Sequence, residues 1–425
     1  MENEKHSLFK RIWLVLLSIG PGLFCIGYTI GTGSVTAMAK AGSQFGMQLL
    51  WVLALSCLFS WVLMESYGRF AVVSGQTAIH GFKAQYKYGK VFAGLVVVGV
   101  IVGQWCCLSG LVGLSSTALY EGLLLFIPGL SGNSYWVVLC IAVIVIMLMY
   151  ALLWVGKYSF FEKILVVFVT LMGLTFVVSM FIVLPSPYEI VTGFIPKIPK
   201  VKGANLMVAA FVGTTMAAPT FVVRPLLMKG KGWIGREHVR KQSRDAFFSA
   251  LLMFIISGSI MAAATGALFH EGKVITKVLD MVSTLQPVAG KFAVALFLVG
   301  TVSAGLSSIF PIAMVAPLLI SDFRAGELDT RSKLFRILTG VACLIGLTVP
   351  ILGTNPIAAQ IATQVSQVFV LPLVIVSITL LVNHKGLMGD RKAGILLNVG
   401  LVASFIFSCM ISYRAVLALI DFFKK

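Results

Sequence analysis

Residues 20–42 read GPGLFCIGYTIGTGSVTAMAKAG, an apolar run that carries two glycines, Gly31 and Gly33, near its middle. Each of these glycines weakens a helix by about 1 kcal/mol relative to alanine. A second run, MVAAFVGTTMAAPTFVVRP at residues 207–225, contains Pro219, which lacks a backbone donor and frees carbonyl groups one turn earlier. Inside a membrane such freed groups must be satisfied by protein, water or substrate. Both runs are therefore predicted to be interrupted membrane helices.

The rest of the chain is equally apolar. Of its 425 residues, 59% are hydrophobic and 11% are charged, and the mean hydropathy is +0.99. Soluble domains carry about 25% charged residues, whereas runs of about 20 apolar residues match the thickness of a bilayer. The composition therefore predicts an all-α integral membrane protein. Its eleven spans are expected at about 13–42, 48–73, 91–126, 135–155, 158–184, 204–227, 246–268, 289–320, 334–353, 357–382 and 394–419.

The net charge of +18 comes from 33 basic and 15 acidic residues. When the N-terminus is placed inside, roughly two thirds of the basic residues fall on the inner side of the spans. This bias predicts a multi-pass protein of the plasma or bacterial inner membrane with a cytoplasmic N-terminus. The predicted partners are the lipid bilayer and a small ion or small-molecule substrate. The excess charge requires no nucleic acid, no cofactor is indicated, and the oligomeric state stays open.

The two interrupted spans are the first and the sixth, as expected for two five-helix halves of opposite orientation. The first repeat is predicted at about 13–184, the second at about 204–382, and an additional helix at about 394–419. Together they form a single transporter domain over residues 1–425. One break alone would favour close helix packing through small residues. Two breaks at matching positions favour a substrate site near the middle of the membrane.

Several phrases resemble the Nramp divalent-metal transporters. They are AGSQFG at 41–46, LLWV at 49–52, RFAVVSG at 69–75, GLSS at 305–308, SQ at 366–367, LP at 371–372 and LMG at 387–389. The resemblance covers residues from about 15 to about 395. It implies the LeuT-type 5+5 inverted repeat, with eleven helices of which the first and sixth are broken.

The resemblance also implies where substrate ligands lie, and the chain departs from the family there. The family's metal-binding Asp-Pro-Gly-Asn aligns with GTGS at 31–34, so the carboxylate is absent. The family's Met-Pro-His aligns with AAP at 217–219, and a coordinating glutamine aligns with Gln367. The candidate substrate-binding residues are Gly31, Thr32, Gly33, Ser34, Thr215, Met216, Ala217 and Gln367.

A metal ion at these positions would be held by backbone carbonyls and by the side chains of Ser34, Thr215 and Gln367. Such oxygen ligands suit Mg²⁺ or Ca²⁺ better than Mn²⁺ or Fe²⁺. Without a negative charge, however, removing water from a divalent ion is poorly compensated. Gln104 and Gln364 are further candidates to line the cavity, although glutamines that bond neighbouring helices would give the same pattern.

Glu65 and Arg224 are the candidates for gating or coupling. Glu65 is predicted to be the only acid deep in a span, with Asp322 in a loop and Asp245 near a span end. For Glu65 the alternative is an ion pair with Arg69 one turn later. For Arg224, which aligns with a family histidine in the proton route, the alternative is a side chain that snorkels to the membrane surface.

Proton coupling finds little support in the sequence. The acidic pair that the family carries in its third helix aligns with Leu111 and Leu114. Proton relays in membranes need ionisable side chains.

The leading hypothesis is an Nramp-like secondary transporter or facilitator that moves a small ion, first of all a divalent metal cation, by alternating access. A second hypothesis is a small neutral, zwitterionic or anionic solute held at the ends of the broken helices. A third is a membrane sensor or scaffold that does not transport. No Ser/His/Asp, Cys/His or paired-carboxylate arrangement can be assembled near the breaks, so an enzyme is not expected.

Overall fold

A computed structural model describes residues 21–124, 127–155, 158–199, 201, 203–277, 280, 286–327 and 329–423. Every regular element within these ranges is helical, which confirms the predicted all-α architecture. Residues 1–20 lie outside the described residues, and with them the start of the first predicted span and the N-terminus. The helices in chain order are α1 (Pro21–Thr29), α2 (Thr32–Phe45), α3 (Leu50–Ser74), α4 (Ala78–Gln85), α5 (Gly89–Leu124), α6 (Ser134–Trp154), α7 (Tyr158–Ile182), α8 (Pro187–Thr192), α9 (Ala204–Thr215), α10 (Ala218–Gly230), α11 (Val239–Leu268), α12 (Gln286–Ala325), α13 (Lys333–Gly346), α14 (Thr348–Leu352), α15 (Pro356–Gln367), α16 (Leu371–Val382), α17 (Lys385–Met388) and α18 (Ile395–Phe423).

Ten segments of the described chain are long and apolar enough to cross a membrane. One of these, Thr32–Ser74, runs from α2 through α3. A multi-pass membrane protein is thus confirmed, while the count of eleven spans stays a prediction.

Both predicted interruptions are present. Ile30 and Gly31 separate α1 from α2, and Met216 and Ala217 separate α9 from α10. Pro219 lies in the first turn of α10. At that position its missing N–H costs nothing, because the first N–H groups of a helix have no acceptor within the helix.

A third interruption divides the span that was predicted to be continuous at 357–382. It separates α15 from α16, and Pro372 lies in the first turn of α16. The ring nitrogen of Pro372 cannot donate to the carbonyl of Val368. That carbonyl accepts hydrogen bonds from the N–H of Leu371 at 3.3 Å and from the hydroxyl of Ser412 on α18 at 3.1 Å. The additional C-terminal helix thereby supports the break in its neighbour.

The broken helices lie in the centre of the bundle. The most apolar part of the segment Ala204–Gly230, which contains the second break, is 94% buried inside the protein, and residues 24–39 around the first break are all buried. The corresponding parts of α6 and α18 are only 28% buried. The outer helices therefore present apolar side chains to lipid, and the first two breaks are shielded from it.

We expect Gly42→Ala to destabilise the bundle. A Cβ at Gly42 would collide with the carbonyl oxygen of Met261 and lie 3.0 Å from the Cβ of Ala264, both on α11. Forcing α2 away from α11 should cost about 1–3 kcal/mol and lower the Tm measured in detergent. Gly94→Ala in α5 is the matched control, since a Cβ there meets no atom within 4 Å. Equal Tm changes in the two variants would contradict the expectation.

Candidate functional site

The first and second breaks face one small cavity of ≈ 10 Å³, about the room that a single water needs. Gly31 and Gly33 line it from the first break and Ala217 from the second. The other lining residues are Tyr28, Thr29, Gln104, Cys107, Leu111, Thr214, Ser308, Ile312 and Gln364. All of them are buried, so the structure holds this cavity closed.

Hydroxyl groups from neighbouring helices satisfy carbonyls at the end of α1. Thr214 on α9 donates to the carbonyl of Thr29 at 3.2 Å. Ser308 on α12 donates a short hydrogen bond to the carbonyl of Gly27. Because these bonds replace the helical bonds lost at the break, the backbone is satisfied without a substrate.

The break between α9 and α10 is supported in the same way. The carbonyl of Thr215 accepts a hydrogen bond from the hydroxyl of Ser60 on α3, at 3.0 Å. The Thr215 hydroxyl itself is buried and has no hydrogen-bond partner among the described residues. One polar atom at this break is therefore left to bind water or substrate.

Four buried glutamines lie on α5 and α15, and three of them, Gln104, Gln360 and Gln364, lie at the cavity or against Gly33 of the first break. Gln360, Gln364 and Gln367 follow one another at i, i+4 and i+7, which places them on one face of α15. Gln360 and Gln364 each donate to the sulfur of Cys107 at 3.4 Å. The Oε1 atoms of Gln104 and Gln360 and both amide atoms of Gln367 have no partner within the described part of the chain. An amide-rich wall of this kind can offer both acceptors and donors to a ligand.

The lining of the cavity carries no carboxylate, histidine, lysine or arginine. The described residues likewise contain no cluster of three or more His, Cys, Asp and Glu that could hold a metal ion. A substrate in the cavity would therefore meet neutral oxygen and nitrogen groups.

Three of the residues predicted from the sequence, Gly31, Gly33 and Ala217, meet at the cavity. The carbonyl of Gly31 accepts the N–H of Val35 at 3.0 Å, so it is directed along α2. Gln104 and Gln364 also line the cavity.

The other predicted residues lie close to the breaks but do not line this cavity. The Ser34 hydroxyl lies 3.4 Å from that of Ser257 on α11. The Thr32 hydroxyl is buried without a hydrogen-bond partner among the described residues. Met216 is buried in the turn after α9, and the Gln367 amide lies against Gly103 of α5.

Glu65 and Arg224 belong to a separate network of buried ion pairs. Glu65 pairs with Arg69 at 2.7 Å, which is the alternative that the sequence offers to a gating or coupling role. Glu65 also accepts a hydrogen bond from the Gln242 amide at 2.8 Å. Arg224 pairs with Asp245 at 2.7 Å, with side-chain exposures of 0% and 2%. The alternative that Arg224 snorkels to the membrane surface is therefore wrong, because its charge is neutralised inside the bundle.

Two acids lie deeper than the sequence predicts. Asp245 is buried within α11, and Asp322, predicted in a loop, is fully buried near the end of α12. Both helices extend farther than hydropathy suggests, because polar residues within them are covered by neighbouring helices.

Residues 22–418 match the family described as natural resistance-associated macrophage protein-like, or Nramp. The chain belongs to the Nramp family. Over 395 residues it is 24% identical to the divalent metal cation transporter MntH of a Nostoc species, covering 90% of this chain and 86% of that protein. It is 25% identical to the MntH of Brucella suis over 411 residues, covering 92% and 85% respectively. The predicted Nramp-like transporter is confirmed.

Solved structures agree in fold. A crystal structure of a mutant of the Eremococcus coleocola manganese transporter superposes with a TM-score of 0.72 at 16% identity, covering 98% of this chain and 88% of that one. The structure of MhsT in complex with L-phenylalanine gives 0.65 at 12% identity, covering 94% and 98%. These likenesses confirm the LeuT-type fold.

At the position of the Nramp aspartate, the space for a side chain is filled. A Cβ at Gly31 would lie 2.7 Å from the Cβ of Ser308 and 3.3 Å from Leu111. Ser308 therefore occupies the room that a longer residue 31 needs. Leu111 and Leu114, which replace the acidic pair of the Nramp third helix, are both buried at 1% exposure or less.

We expect Ser60→Ala to weaken the second break. Loss of its hydroxyl leaves the Thr215 carbonyl without that donor in a dry environment, at a cost of about 1–3 kcal/mol. Ser56→Ala is the control, because Ser56 is equally buried on α3 but bonds the carbonyl of Val52 in its own helix. Thermal unfolding should show a lower Tm for Ser60→Ala and little change for Ser56→Ala. The opposite order would contradict the assigned role of Ser60.

Proposed function

We propose that this Nramp-family chain is a secondary transporter or facilitator that moves a divalent metal cation across a cell membrane by alternating access. The observation that carries the proposal is the meeting of two broken helices at one cavity in the centre of the bundle. The names of the MntH relatives support the substrate class. The proposal includes a cytoplasmic N-terminus and no enzymatic role.

The proposed architecture is a single transporter domain of two repeats, at about 13–184 and 204–382, followed by the helix at about 394–419. In such a domain the broken helices are the moving parts. The breaks at Ile30–Gly31 and Met216–Ala217 leave α1 and α10 joined to their partner helices by two residues each. Both half-helices can therefore tilt without disturbing the hydrogen bonds within them.

The cation is proposed to travel with part of its water shell. Neutral carbonyl, hydroxyl and amide oxygens cannot compensate the full loss of water from a divalent ion. The Oε1 of Gln104 and the hydroxyl of Tyr28 line the cavity and have no partner among the described residues, so they can bind such water. Since ≈ 10 Å³ cannot hold a hydrated ion, the cavity must widen when substrate enters.

A second candidate substrate is a small zwitterionic or anionic solute. The observation that favours it is the N-terminal end of α2, where Gly33 lines the cavity in the first turn. The first N–H groups of a helix are free and carry partial positive charge, and the lining holds no carboxylate to repel an anion.

Flux measurements in proteoliposomes test the proposal. We expect influx of at least one of Mg²⁺, Ca²⁺ and Mn²⁺, read with an entrapped indicator dye and compared with protein-free liposomes. Metal-independent uptake of an amino acid or organic anion would contradict the metal hypothesis and favour the second candidate substrate. Absence of flux for every solute would indicate a sensor or scaffold.

Gln104→Leu separates binding from stability. Removing one ligand of the substrate should reduce flux by about tenfold or more, the equivalent of 1.4 kcal/mol. The Tm should stay constant or rise, because Gln104 Oε1 is buried and unpaired among the described residues. Gln48→Leu, at an exposed position between α2 and α3, is the matched control. Normal flux in Gln104→Leu would remove this glutamine from the site.

A further inference from the structure

One buried carboxylate connects both moving half-helices to α11. The Asp245 oxygens accept the N–H of Gly22, in the first turn of α1, at 3.2 and 3.0 Å. The same carboxylate pairs with Arg224 of α10 at 2.7 Å. Asp245 therefore joins α1, α10 and α11 at Gly22, away from the end of α1 that lines the cavity.

The contact with Gly22 satisfies a buried backbone donor. The N–H of Gly22 donates to the Asp245 carboxylate, at 3.2 and 3.0 Å to its two oxygens. A hydrogen bond to a charged acceptor is roughly twice as strong as one between neutral groups, so α1 is held firmly at Gly22.

The ion pair is anchored to a static part of the bundle. Arg224 donates to the carbonyl of Gln242 at 3.2 Å, and the Gln242 amide donates to Glu65 of α3 at 2.8 Å. Arg69 neutralises Glu65 from one turn away. Because α3 and α11 pack against each other as unbroken helices, α1 is held against a rigid frame.

The network lies outside the substrate cavity. None of Gly22, Arg224, Gln242, Asp245 and Glu65 lines it. The network's charges therefore act on the position of α1, and they do not contact substrate in the closed state.

We propose that Asp245 is the latch of the gate on the side of the bundle where Gly22 lies, and that release of Gly22 from Asp245 opens the cavity to that side. The inference rests on the alternating-access transport proposed above. Asp245 acts as a positioning residue, since it holds the helix whose end lines the cavity.

The arrangement makes opening feasible. When α1 leaves, Asp245 keeps Arg224 as its partner, so no uncompensated charge remains in the bundle. Opening breaks the bonds to the Gly22 N–H, which water can replace on that side, together with the weak contacts of the Cys25 thiol with Thr220 and Arg224. Loss of the Asp245 charge, in contrast, releases α1 and also leaves Arg224 without its counter-ion.

Cys25 is a natural reporter of this gate. It is fully buried on α1, its thiol lies 3.5 Å from the carbonyl of Thr220 on α10, and the Arg224 guanidinium lies 3.9 Å from its sulfur. Movement of α1 away from α10 exposes this thiol. Cys57 on α3 is also buried but belongs to the static frame, so it serves as an internal standard.

The test measures the rate at which N-ethylmaleimide modifies each cysteine of the full chain in lipid nanodiscs, resolved by peptide mass spectrometry. Asp245→Asn should accelerate labelling of Cys25 by about tenfold or more by shifting the population towards the open state, and leave Cys57 unchanged. Gly22→Ala should act likewise without changing any charge, because a Cβ at Gly22 would collide with Ser249 and Asp245.

Asp322→Asn is the matched control. Asp322 is equally buried near the end of α12 on the same side of the bundle, but it is not among the groups that bond α1. Its Cys25 rate should equal that of the unmodified chain. The latch is overturned if the labelling rate of Cys25 rises in neither Asp245→Asn nor Gly22→Ala, or if it rises as much in Asp322→Asn. It is also overturned if the labelling rates of Cys25 and Cys57 rise together, because that would indicate a general loosening of the bundle.

The outcomes for the latch and for transport are separable. A specific Cys25 response in a chain that carries no flux of any solute would retain the latch and remove the proposed function. Flux of a divalent cation with an unresponsive Cys25 would retain the transporter and remove the latch.

Discussion

The structure depends on one constraint: every backbone carbonyl that is freed by a break must find a donor away from lipid. Hydroxyl groups on four neighbouring helices donate hydrogen bonds to carbonyls at the breaks. They belong to Ser308, Thr214, Ser60 and Ser412. The breaks are thus stable without substrate. Because each donor comes from another helix, the geometry of the site depends on how the helices of the bundle pack.

A consequence is a neutral site within a strongly charged protein. The chain has a net charge of +18, yet no ionic side chain lines the cavity. Ionic groups deep in the described bundle connect helices instead: Asp245 on α11 pairs with Arg224 on α10, and Glu65 on α3, which pairs with Arg69 in its own helix, accepts a hydrogen bond from Gln242 on α11. In this member of the Nramp family, buried charge therefore positions half-helices, while polar neutral groups face the substrate.

The sequence predicts those features that are encoded locally. The first two breaks follow from glycine and proline within apolar runs, and the Glu65–Arg69 pair follows from i, i+4 spacing. The third break was missed although Pro372 marks it, because a proline can also open a continuous helix. The Arg224–Asp245 pair and the role of Ser308 join segments distant in sequence. Hydropathy also placed Asp322 in a loop, since it cannot tell that a polar residue is covered by neighbours. The substrate-binding residues themselves stay predictions.

The different strengths of the bonds that hold α1 determine how it can move. At its C-terminal end, neutral hydroxyl bonds from Thr214 and Ser308 hold the carbonyls next to the cavity. Seven residues before Thr29, a charge-assisted bond holds Gly22 to Asp245. A tilt about the break at Ile30–Gly31 moves Gly22 farther than the residues next to the cavity, so the charge-assisted bond lies where the displacement is larger. A half-helix held in this way stays closed until Gly22 is released, and the cavity can remain small and neutral without being open to both sides.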